Sequence, residues 1–299
     1  MRAFVLSGGG NRGPLQAGAI KVLLQHGIIP EMVVGSSVGA LHGAYLAAEP
    51  TLAQAERMIQ LWRDAGRRKL FSNSSVRSVL KALRGSDHLA DNRRIRAYIE
   101  QTLPKHARTF GDLRIPLYVT ICHLRTLTLY LYGDDPSAPL IDAVLTSAAV
   151  PGFFPPTYHE GQAFVDGGVI SNLPILVALA RGATEVWALD LAFEVDTAAS
   201  LKGAFEIAGY AIKRPLYSLA LRELEAAVQT PGITVHHIAL PAYANLQLGD
   251  FSKTDAMLAE GERLACAYLA QPRPNEVRYP QRYTAHTLPP GPPGAHPFV

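Results

Sequence analysis

Short apolar runs, each followed by a tight turn and a helix, open the chain twice within its first fifty residues. The run RAFVLS is typical of a buried strand, and PLQAGAIKVLLQHG after it predicts a helix with Pro14 in its first turn and Gly27 after its last. The segment EMVVGSSVGALHGAYLAA repeats the order of strand, turn and helix. Two such units favour a parallel sheet that carries helices on its faces.

Similar patterns continue along the rest of the chain. Helices are predicted for TLAQAERMIQLWRDAG, with Thr51 as its cap, and for LIDAVLTSAA, LPILVALARGA and DFSKTDAMLAEGERLACAYLA. The prolines of VPGFFPP must end the second of these. Strands are predicted for RIPLYVTICHL and TLTLYLYG, as a hairpin-like pair, and for QAFVDGGVIS, TEVWALDLA and GITVHHIAL. We therefore predict a three-layer α/β/α fold with a mostly parallel central sheet, in one domain over residues 1–270.

The tail of the chain, residues 271–299, has a different composition. It contains eight prolines, which exclude a core helix or a central strand: Pro272, Pro274, Pro280, Pro289, Pro290, Pro292, Pro293 and Pro297. We expect this tail either to wrap the surface in an extended form or to be mobile.

Composition narrows the class of protein further. The 299 residues are 48% hydrophobic and 18% charged, which is typical of a packed globular protein. The net charge of +3 gives no reason to expect a nucleic-acid partner. The only cysteines, Cys122 and Cys266, are far apart and lack metal-ligand spacing. We expect no disulfide, no metal, no cofactor and a reducing compartment.

The sequence contains no signal for insertion into a membrane. No apolar run reaches the roughly 18 residues that span a bilayer, and AFVL is too short for the core of a signal peptide. We expect a cytoplasmic protein, and surface contact with a membrane stays open.

The glycine loop FVLSGGGNRGPLQAG contains Gly8-x-Gly10-x-x-Gly13, which fits the dinucleotide-binding fingerprint. A dinucleotide site also needs an acidic residue at the end of the second strand, where this chain has Gly35-Ser36-Ser37. No Gly-Lys-Ser/Thr follows, so the loop is not a P-loop either. Two interpretations remain: a turn that needs glycine only for its backbone, or a loop that binds some other anion.

A second glycine motif, Gly35-Ser36-Ser37-Val38-Gly39, follows a predicted strand and precedes a predicted helix. This is the setting of a nucleophile elbow, in which flanking glycines allow a sharp turn that exposes the serine hydroxyl. Ser37 would also lie near a helix N-terminus, which favours developing negative charge. The motif predicts that Ser37 is a nucleophile, provided that a base lies beside it.

Five histidines are the first candidates for that base: His26, His42, His159, His236 and His237. The last two lie inside a predicted strand, and the first ends a helix. His42 follows the serine by one helical turn and is expected to project away from the elbow. His159 stays open as a candidate.

Asp166 is a better candidate, because it ends the apolar strand of FVDGG before a pair of glycines. Open α/β sheets bind ligands beyond the carboxyl ends of their strands, which is where we expect this carboxylate. An ordinary Asp-Gly turn is the alternative interpretation.

Four motifs of the chain, taken together, resemble those of a known family. The motifs SGGGNRG, GSSVG and DGG occur in the order and approximate spacing of patatin-like phospholipases, and TSAAVPGFFPP resembles the segment that precedes the catalytic aspartate there. The four motifs cover about residues 4–180. The resemblance implies a patatin-like fold with the serine on a strand–turn–helix elbow.

The resemblance also implies a role for each matching residue. Ser37 is expected to be the nucleophile and Asp166 its only catalytic partner, in a dyad without histidine. Arg12 is expected to brace the glycine loop or to add positive potential. The oxyanion hole is expected to consist of the backbone amides of Gly8, Gly9 and Gly10.

The implied activity is hydrolysis of lipid acyl esters, as in a phospholipase A, through an acyl-enzyme. The alternatives are a carboxylesterase or acyl-thioesterase that acts on soluble substrates, a lipid-binding regulator with an idle dyad and, more distantly, a nucleotide-binding oxidoreductase. The oligomeric state, the head group and the acyl position are not predicted.

Two weaker signals concern the lipid. Residues 63–96 carry ten basic residues against three acidic ones, and this stretch is either a cap that contacts anionic lipid or a solvated helical face. An apolar cleft for the acyl chain is expected to include an aromatic and proline cluster, unless that cluster only packs a loop: Phe153, Phe154, Pro155 and Pro156.

Overall fold

The computed structural model describes residues 1–67, 93–191, 204–244, 246 and 249–277. Most of the predicted basic stretch, residues 68–92, lies outside the described residues, and so does the proline-rich tail beyond residue 277. Within the described residues, no helix has both the length and the apolar character that crossing a membrane requires.

The described strands form one sheet. They are β1 (Arg2–Leu6), β2 (Met32–Gly35), β3 (Leu117–His123), β4 (Thr128–Tyr132), β5 (Thr157–His159), β6 (Gln162–Asp166), β7 (Glu185–Asp190) and β8 (Thr234–Ala239). The five strands β3, β2, β1, β7 and β8 lie side by side and are all parallel. Strand β4 pairs antiparallel with β3, as predicted, and β5 and β6 form an antiparallel pair that also joins β3.

Helices cover both faces of this sheet. They are α1 (Gly13–Gln25), α2 (Val38–Ala48), α3 (Leu52–Arg67), α4 (Arg93–Thr102), α5 (Leu140–Ser147), α6 (Ile175–Ala180), α7 (Ala204–Gln229) and α8 (Thr254–Ala270). The hydroxyl of Thr51 accepts the backbone N–H of Gln54 at 3.2 Å, which confirms the predicted cap of α3.

The alternation of side chains along β1 shows why the fold has three layers. Phe4 and Leu6 pack in the larger core beneath α1, α2, α3, α5 and α8. Ala3 and Val5 point the other way, into the smaller core beneath α6 and α7. Successive strand residues face opposite sides, so a strand buried on both sides reads as one continuous apolar run. The predicted three-layer α/β/α architecture with a mostly parallel sheet is confirmed.

Strands β2 and β6 meet end to end along one edge of β3. Strand β2 pairs with β3 as far as Gly35 opposite Val119, and β6 pairs with β3 from Phe164 to Asp166, which lies opposite Ile121. Strand β4 occupies the other edge of β3, where it pairs with residues 119–123. The carboxyl ends of β2 and β6 therefore converge near Thr120, which lies between Val119 and Ile121.

Arginines at the two described ends of the basic stretch are paired with acids. Arg63 Nε lies 2.7 Å from Asp255 Oδ1, which links α3 to α8. An Nη atom of Arg96 lies 2.5 Å from Asp142 Oδ1, which links α4 to α5. These two guanidinium groups are therefore engaged in interhelical contacts.

Three described elements were not predicted from the pattern. Helix α7 contains Pro215, which opposes a helix interior and hides the pattern. Helix α4 reads RRIRAYIEQT, in which charge obscures the apolar spacing of a helix. Strand β5 has only three residues, fewer than an alternating pattern needs to be recognised.

Candidate active site

Ser37 lies in a strained turn between β2 and α2, with φ of 54° and ψ of −121°. A positive φ is uncommon outside glycine and marks a backbone that its surroundings hold in place. A Cβ atom at Gly35 would clash with the carbonyl oxygen of Gly39, and one at Gly39 would clash with the carbonyl oxygen of Leu6. Both motif glycines are therefore required for the close contact of strand and helix in this elbow.

The segment TSAAVPGFFPP holds the two predicted catalytic residues through separate hydrogen bonds. The backbone N–H of Ser37 donates to Ser147 Oγ at 2.9 Å. The backbone N–H of Asp166 donates to the carbonyl oxygen of Ala149 at 3.0 Å. No sequence pattern predicts a role for Ser147, and its position inside the family-like segment is the only signal that points to it.

The carboxylate of Asp166 is buried, with an exposed fraction of 5%, and the Ser37 hydroxyl lies close enough to interact with it. The backbone N–H of Gly168 donates to Asp166 Oδ1 at 2.8 Å. Burial raises the pKa of Asp166 to about 6, because it outweighs the interactions with Ser37 and Gly168, which lower the pKa. The group is thus a stronger base than a solvated aspartate and is still mostly ionised at neutral pH.

The glycine loop lies against Ser37. A Cβ atom at Gly8 would be only 3.0 Å from Ser37 Cβ and 2.5 Å from Asn172 Oδ1. The backbone N–H of Gly8 donates to the carbonyl oxygen of Asn172 at 3.1 Å, and Asn172 Nδ2 donates back to the carbonyl oxygen of Gly8 at 3.2 Å. Among the described residues no acceptor is found for the amides of Gly9 and Gly10. Two of the three predicted amides thus remain able to bind an oxyanion, whereas that of Gly8 holds the loop to Asn172.

Arg12 is buried beneath the same loop rather than exposed to substrate. An Nη atom donates to the carbonyl oxygen of Leu191 at 2.5 Å, and the carboxylate of Asp190 lies close enough to interact with the guanidinium. Burial lowers the pKa of Arg12 to about 10, and the charge of Asp190 opposes that change. The family resemblance implied two roles for Arg12. These contacts suit the first of them, in which Arg12 braces the glycine loop.

His42 takes part in a buried chain of hydrogen bonds behind the elbow. Trp62 Nε1 donates to His42 Nε2 at 2.8 Å, so the proton of the neutral ring is on Nδ1, which donates to Gln16 Oε1 at 2.8 Å. Gln16 Nε2 in turn donates to the carbonyl oxygens of Ser7 and Leu189, at 3.2 and 3.0 Å. Burial lowers the pKa of His42 to about 3, which keeps the ring neutral. Both ring nitrogens are occupied, so His42 is not available as the base.

The other candidate histidines have partners of their own or lie at the surface. His236 stacks on Trp187 with ring centroids 4.0 Å apart, and His237 Nε2 lies 3.4 Å from Asp190 Oδ2. His26 ends α1, where Nδ1 contacts the carbonyl oxygen of Val22 at 2.9 Å. His159, which the sequence left open, is exposed at the end of β5.

An apolar pocket of about 610 Å³, its open mouth included, begins at Ser37. Side chains of α2, α4 and α5 line it together with Phe153 and Phe154, as expected for an acyl-binding cleft. Pro155 and Pro156 are not among the described residues that line it. The predicted nucleophile Ser37 therefore borders a hydrocarbon-lined cavity.

Known proteins with similar sequences carry names that agree with one another. Lysophospholipase NTE1 of Mycosarcoma maydis is 31% identical over 202 residues, and the match covers 65% of this chain and 10% of that protein. Patatin-like phospholipase domain-containing protein 7 of Rattus norvegicus is 27% identical over 197 residues, which cover 65% of this chain and 14% of that protein. The chain thus spans about a tenth to a seventh of the length of these relatives.

Among solved structures, VipD from Legionella pneumophila is similar with a TM-score of 0.45 and 15% identity, covering 90% of this chain and 66% of that one. The sequence profile of the patatin-like phospholipases matches residues 4–179, which is more than half of the chain and includes the glycine loop, Ser37 and Asp166. The chain belongs to the patatin-like phospholipase family.

Proposed function

We propose that the protein is a serine hydrolase that cleaves acyl esters of lipids through a Ser37–Asp166 dyad and an acyl-enzyme intermediate. The observation that carries this proposal is the interaction of the Ser37 hydroxyl, which lines an apolar pocket, with the buried carboxylate of Asp166. A nucleophile needs an adjacent base, and Asp166 is the titratable group that contacts the Ser37 hydroxyl.

In the first half of the reaction, Ser37 Oγ attacks the ester carbonyl carbon while its proton passes to Asp166. The tetrahedral intermediate collapses as the carbon–oxygen bond to the alcohol breaks. Asp166 returns the proton to the departing alkoxide, so that the alcohol leaves neutral and an acyl-serine remains. A pKa of about 6 suits both proton transfers at neutral pH.

In the second half, a water molecule attacks the acyl-serine carbonyl and gives one proton to Asp166. The second intermediate collapses, the bond to Ser37 Oγ breaks, and the proton on Asp166 restores the serine hydroxyl. The products are a carboxylic acid and the regenerated dyad. Water is the only new reactant that enters this half of the reaction.

The oxyanion of each intermediate is assigned to the amides of Gly9 and Gly10, which have no acceptor among the described residues. The adjacent amide of Gly8 is engaged by Asn172, and we assign it the role of holding the loop near Ser37. A single oxyanion-hole donor is typically worth about 3–4 kcal/mol of barrier reduction. Two such amides would therefore supply a large share of the catalysis.

We propose phospholipids or lysophospholipids as the substrate class. Relatives in this family carry the names lysophospholipase and patatin-like phospholipase, and the apolar pocket at Ser37 suits a hydrocarbon chain. A soluble carboxylic ester or thioester fits the same chemistry and remains the alternative. A cytoplasmic location and a membrane contact of residues 63–96 stay predictions.

A lipid panel tests this proposal. Phosphatidylcholine, lysophosphatidylcholine, a triacylglycerol and an acyl-coenzyme A are each incubated with the protein, and the released fatty acid is quantified. We expect release from at least one of the two phospholipids and none in the Ser37→Ala variant. Release only from the acyl-coenzyme A would favour the thioesterase, and release from no substrate would favour the idle regulator.

A further inference from the structure

A second apolar chamber continues the pocket at Ser37. It has about 460 Å³ of empty space, its opening included, and shares three lining residues with the first pocket: Leu41, Ile95 and Ile99. Helix α3 contributes Met58 and Trp62 to this distal chamber. The two spaces are therefore adjacent, with α2 along one side and α4 along another.

The depth of the cavity follows from α2. Ser37 precedes the first residue of this helix, Leu41 lies one turn further, and Tyr45 lines the distal chamber two turns further. At about 1.5 Å per residue, the eight residues from Ser37 to Tyr45 span about 12 Å along the helix axis. Residues that line the two spaces therefore extend well beyond the reach of the first few carbon atoms of an acyl chain bound at Ser37.

The polar atoms in the wall of the distal chamber are already bound elsewhere. Trp62 Nε1 donates to His42, whose other ring nitrogen bonds to Gln16. The hydroxyl of Tyr45 lies 2.6 Å from Thr102 Oγ1, and the hydroxyl of Tyr98 donates to the carbonyl oxygen of Leu61 at 2.8 Å. A polar ligand would thus lose its hydrogen bonds to water without replacement, whereas a hydrocarbon would lose none.

The side chain of Trp62 in the distal chamber is held by two neighbours. It stacks on Phe251 in the first pocket, with ring centroids 6.1 Å apart, and its Nε1 donates to His42 Nε2. His42 is neutral, because burial lowers its pKa to about 3, so no charge faces the cavity from this position. Ile99, with an exposed fraction of 2%, lies at the junction of the two chambers.

We infer that the acyl chain of the substrate extends from Ser37 past Leu41 and Ile99 into the distal chamber, and that Ile99 determines which chain lengths are accepted. This inference rests on the proposed function for the orientation of the ester. It assigns the distal chamber to hydrocarbon and leaves the head group at the open mouth.

The kinetic test compares p-nitrophenyl dodecanoate with p-nitrophenyl butyrate. In Ile99→Phe the larger ring narrows the junction, and we expect the ratio of kcat/KM for dodecanoate over butyrate to fall at least tenfold. Hydrolysis of butyrate should persist, which also shows that the variant is folded. Met58→Ala enlarges the distal chamber and is expected to raise the ratio of palmitate over dodecanoate.

The matched control is Ile59→Phe. Ile59 is also buried, on α3, but it does not line either chamber among the described residues. This control should leave the chain-length ratio within twofold of the wild-type value. An unchanged ratio in Ile99→Phe, with butyrate turnover intact, would overturn the inference while the proposed hydrolase activity stands.

A binding test separates the two proposals if no Ser37-dependent hydrolysis is found. The chain has two tryptophans, and only Trp62 lines the cavity in its described part. In a Trp187→Phe variant, dodecanoate brominated at its methyl end should quench the fluorescence of Trp62, and Ile99→Phe should reduce this quenching. Absence of quenching at concentrations where dodecanoate binds would overturn the inference independently of catalysis.

Discussion

The Ser37 hydroxyl interacts with the Asp166 carboxylate because the strands before them meet end to end on the same edge of β3. Strand β2 runs parallel to β3 and β6 runs antiparallel to it, so their carboxyl ends point at each other. Thr120 of β3 lies in the gap, where its Oγ1 donates to the carbonyl oxygen of Gly35 at 3.4 Å. The sheet register, rather than the sequence distance, brings the two side chains together.

The pH dependence of hydrolysis is the first prediction. Asp166 must be ionised to accept the serine proton, and its pKa is raised to about 6 by burial. We expect kcat/KM on p-nitrophenyl butyrate to rise with pH through a midpoint near 6 and to be roughly a tenth of its plateau one pH unit lower. An acid limb with its midpoint near 4 would indicate a solvated carboxylate and contradict this assignment.

The substitution Asp166→Asn should abolish activity and at the same time raise stability. The folded-state pKa of about 6 exceeds the ordinary value of 3.8, so the wild type loses stability as pH rises from about 4 to 6. An amide avoids this penalty and still accepts the hydrogen bond from Gly168. We expect the variant to be inactive and to gain up to about 3 kcal/mol in free energy of unfolding at pH 8 relative to wild type.

Urea denaturation at pH 8 and at pH 4 measures this gain. The difference between variant and wild type should be present at pH 8 and small at pH 4, where Asp166 is protonated in the folded state. A variant that is less stable than wild type at both pH values would show that burial of the charge is not the dominant effect.

Gly39→Ala tests the packing of the elbow. The added Cβ atom would meet the backbone oxygen of Leu6, which cannot rotate away as a side chain can. We expect a loss of about 3 kcal/mol or more in free energy of unfolding, together with loss of activity. The control is Gly66→Ala in α3, where the nearest atom to an added Cβ is Phe251 Cβ at 3.1 Å. If Gly39→Ala and Gly66→Ala lower the free energy of unfolding by equally small amounts, this result would contradict the tight contact of β1 and α2.

Asn172→Ala tests the support of the glycine loop. It removes the hydrogen bond from Nδ2 to the carbonyl oxygen of Gly8 and leaves the backbone bond between the same residues in place. A displaced loop misplaces the amides of Gly9 and Gly10, and small misplacements of catalytic groups can cost up to about a hundredfold in rate. We expect kcat on p-nitrophenyl butyrate to fall by about that factor with little change in KM. A change in KM alone would assign Asn172 to substrate binding instead.

The fold and the elbow could be predicted from the sequence because each depends on local pattern. The run at β1 and the glycines around Ser37 dictate a buried strand and a sharp turn without reference to distant residues. The position of Asp166 was predicted as well, but from the carboxyl end of a strand in a parallel sheet. Strand β6 is antiparallel to β3, so the physical reason is the convergence of two strand ends and not the general rule for open sheets.

The supporting contacts could not be predicted in the same way. Ser147 and Asn172 act through hydrogen bonds to Ser37 and Gly8, which are distant in sequence and close only in the folded chain. The family resemblance likewise implied three oxyanion amides, whereas in the fold the amide of Gly8 donates to the carbonyl oxygen of Asn172. Patterns of residue type indicate which groups are present, and the tertiary contacts decide which of them remain available.

The most direct test compares Ser37→Ala with Ser36→Ala. Both serines are buried in the elbow, but Ser36 Oγ has no hydrogen-bond partner in the described part of the protein, whereas the Ser37 hydroxyl binds Asp166. Hydrolysis of p-nitrophenyl butyrate and labelling by a fluorophosphonate probe are measured for both variants and for the wild type. We expect that Ser37→Ala loses both signals and that Ser36→Ala keeps both near the wild-type level. Hydrolysis and labelling that persist in Ser37→Ala would contradict the assignment of Ser37 as the nucleophile.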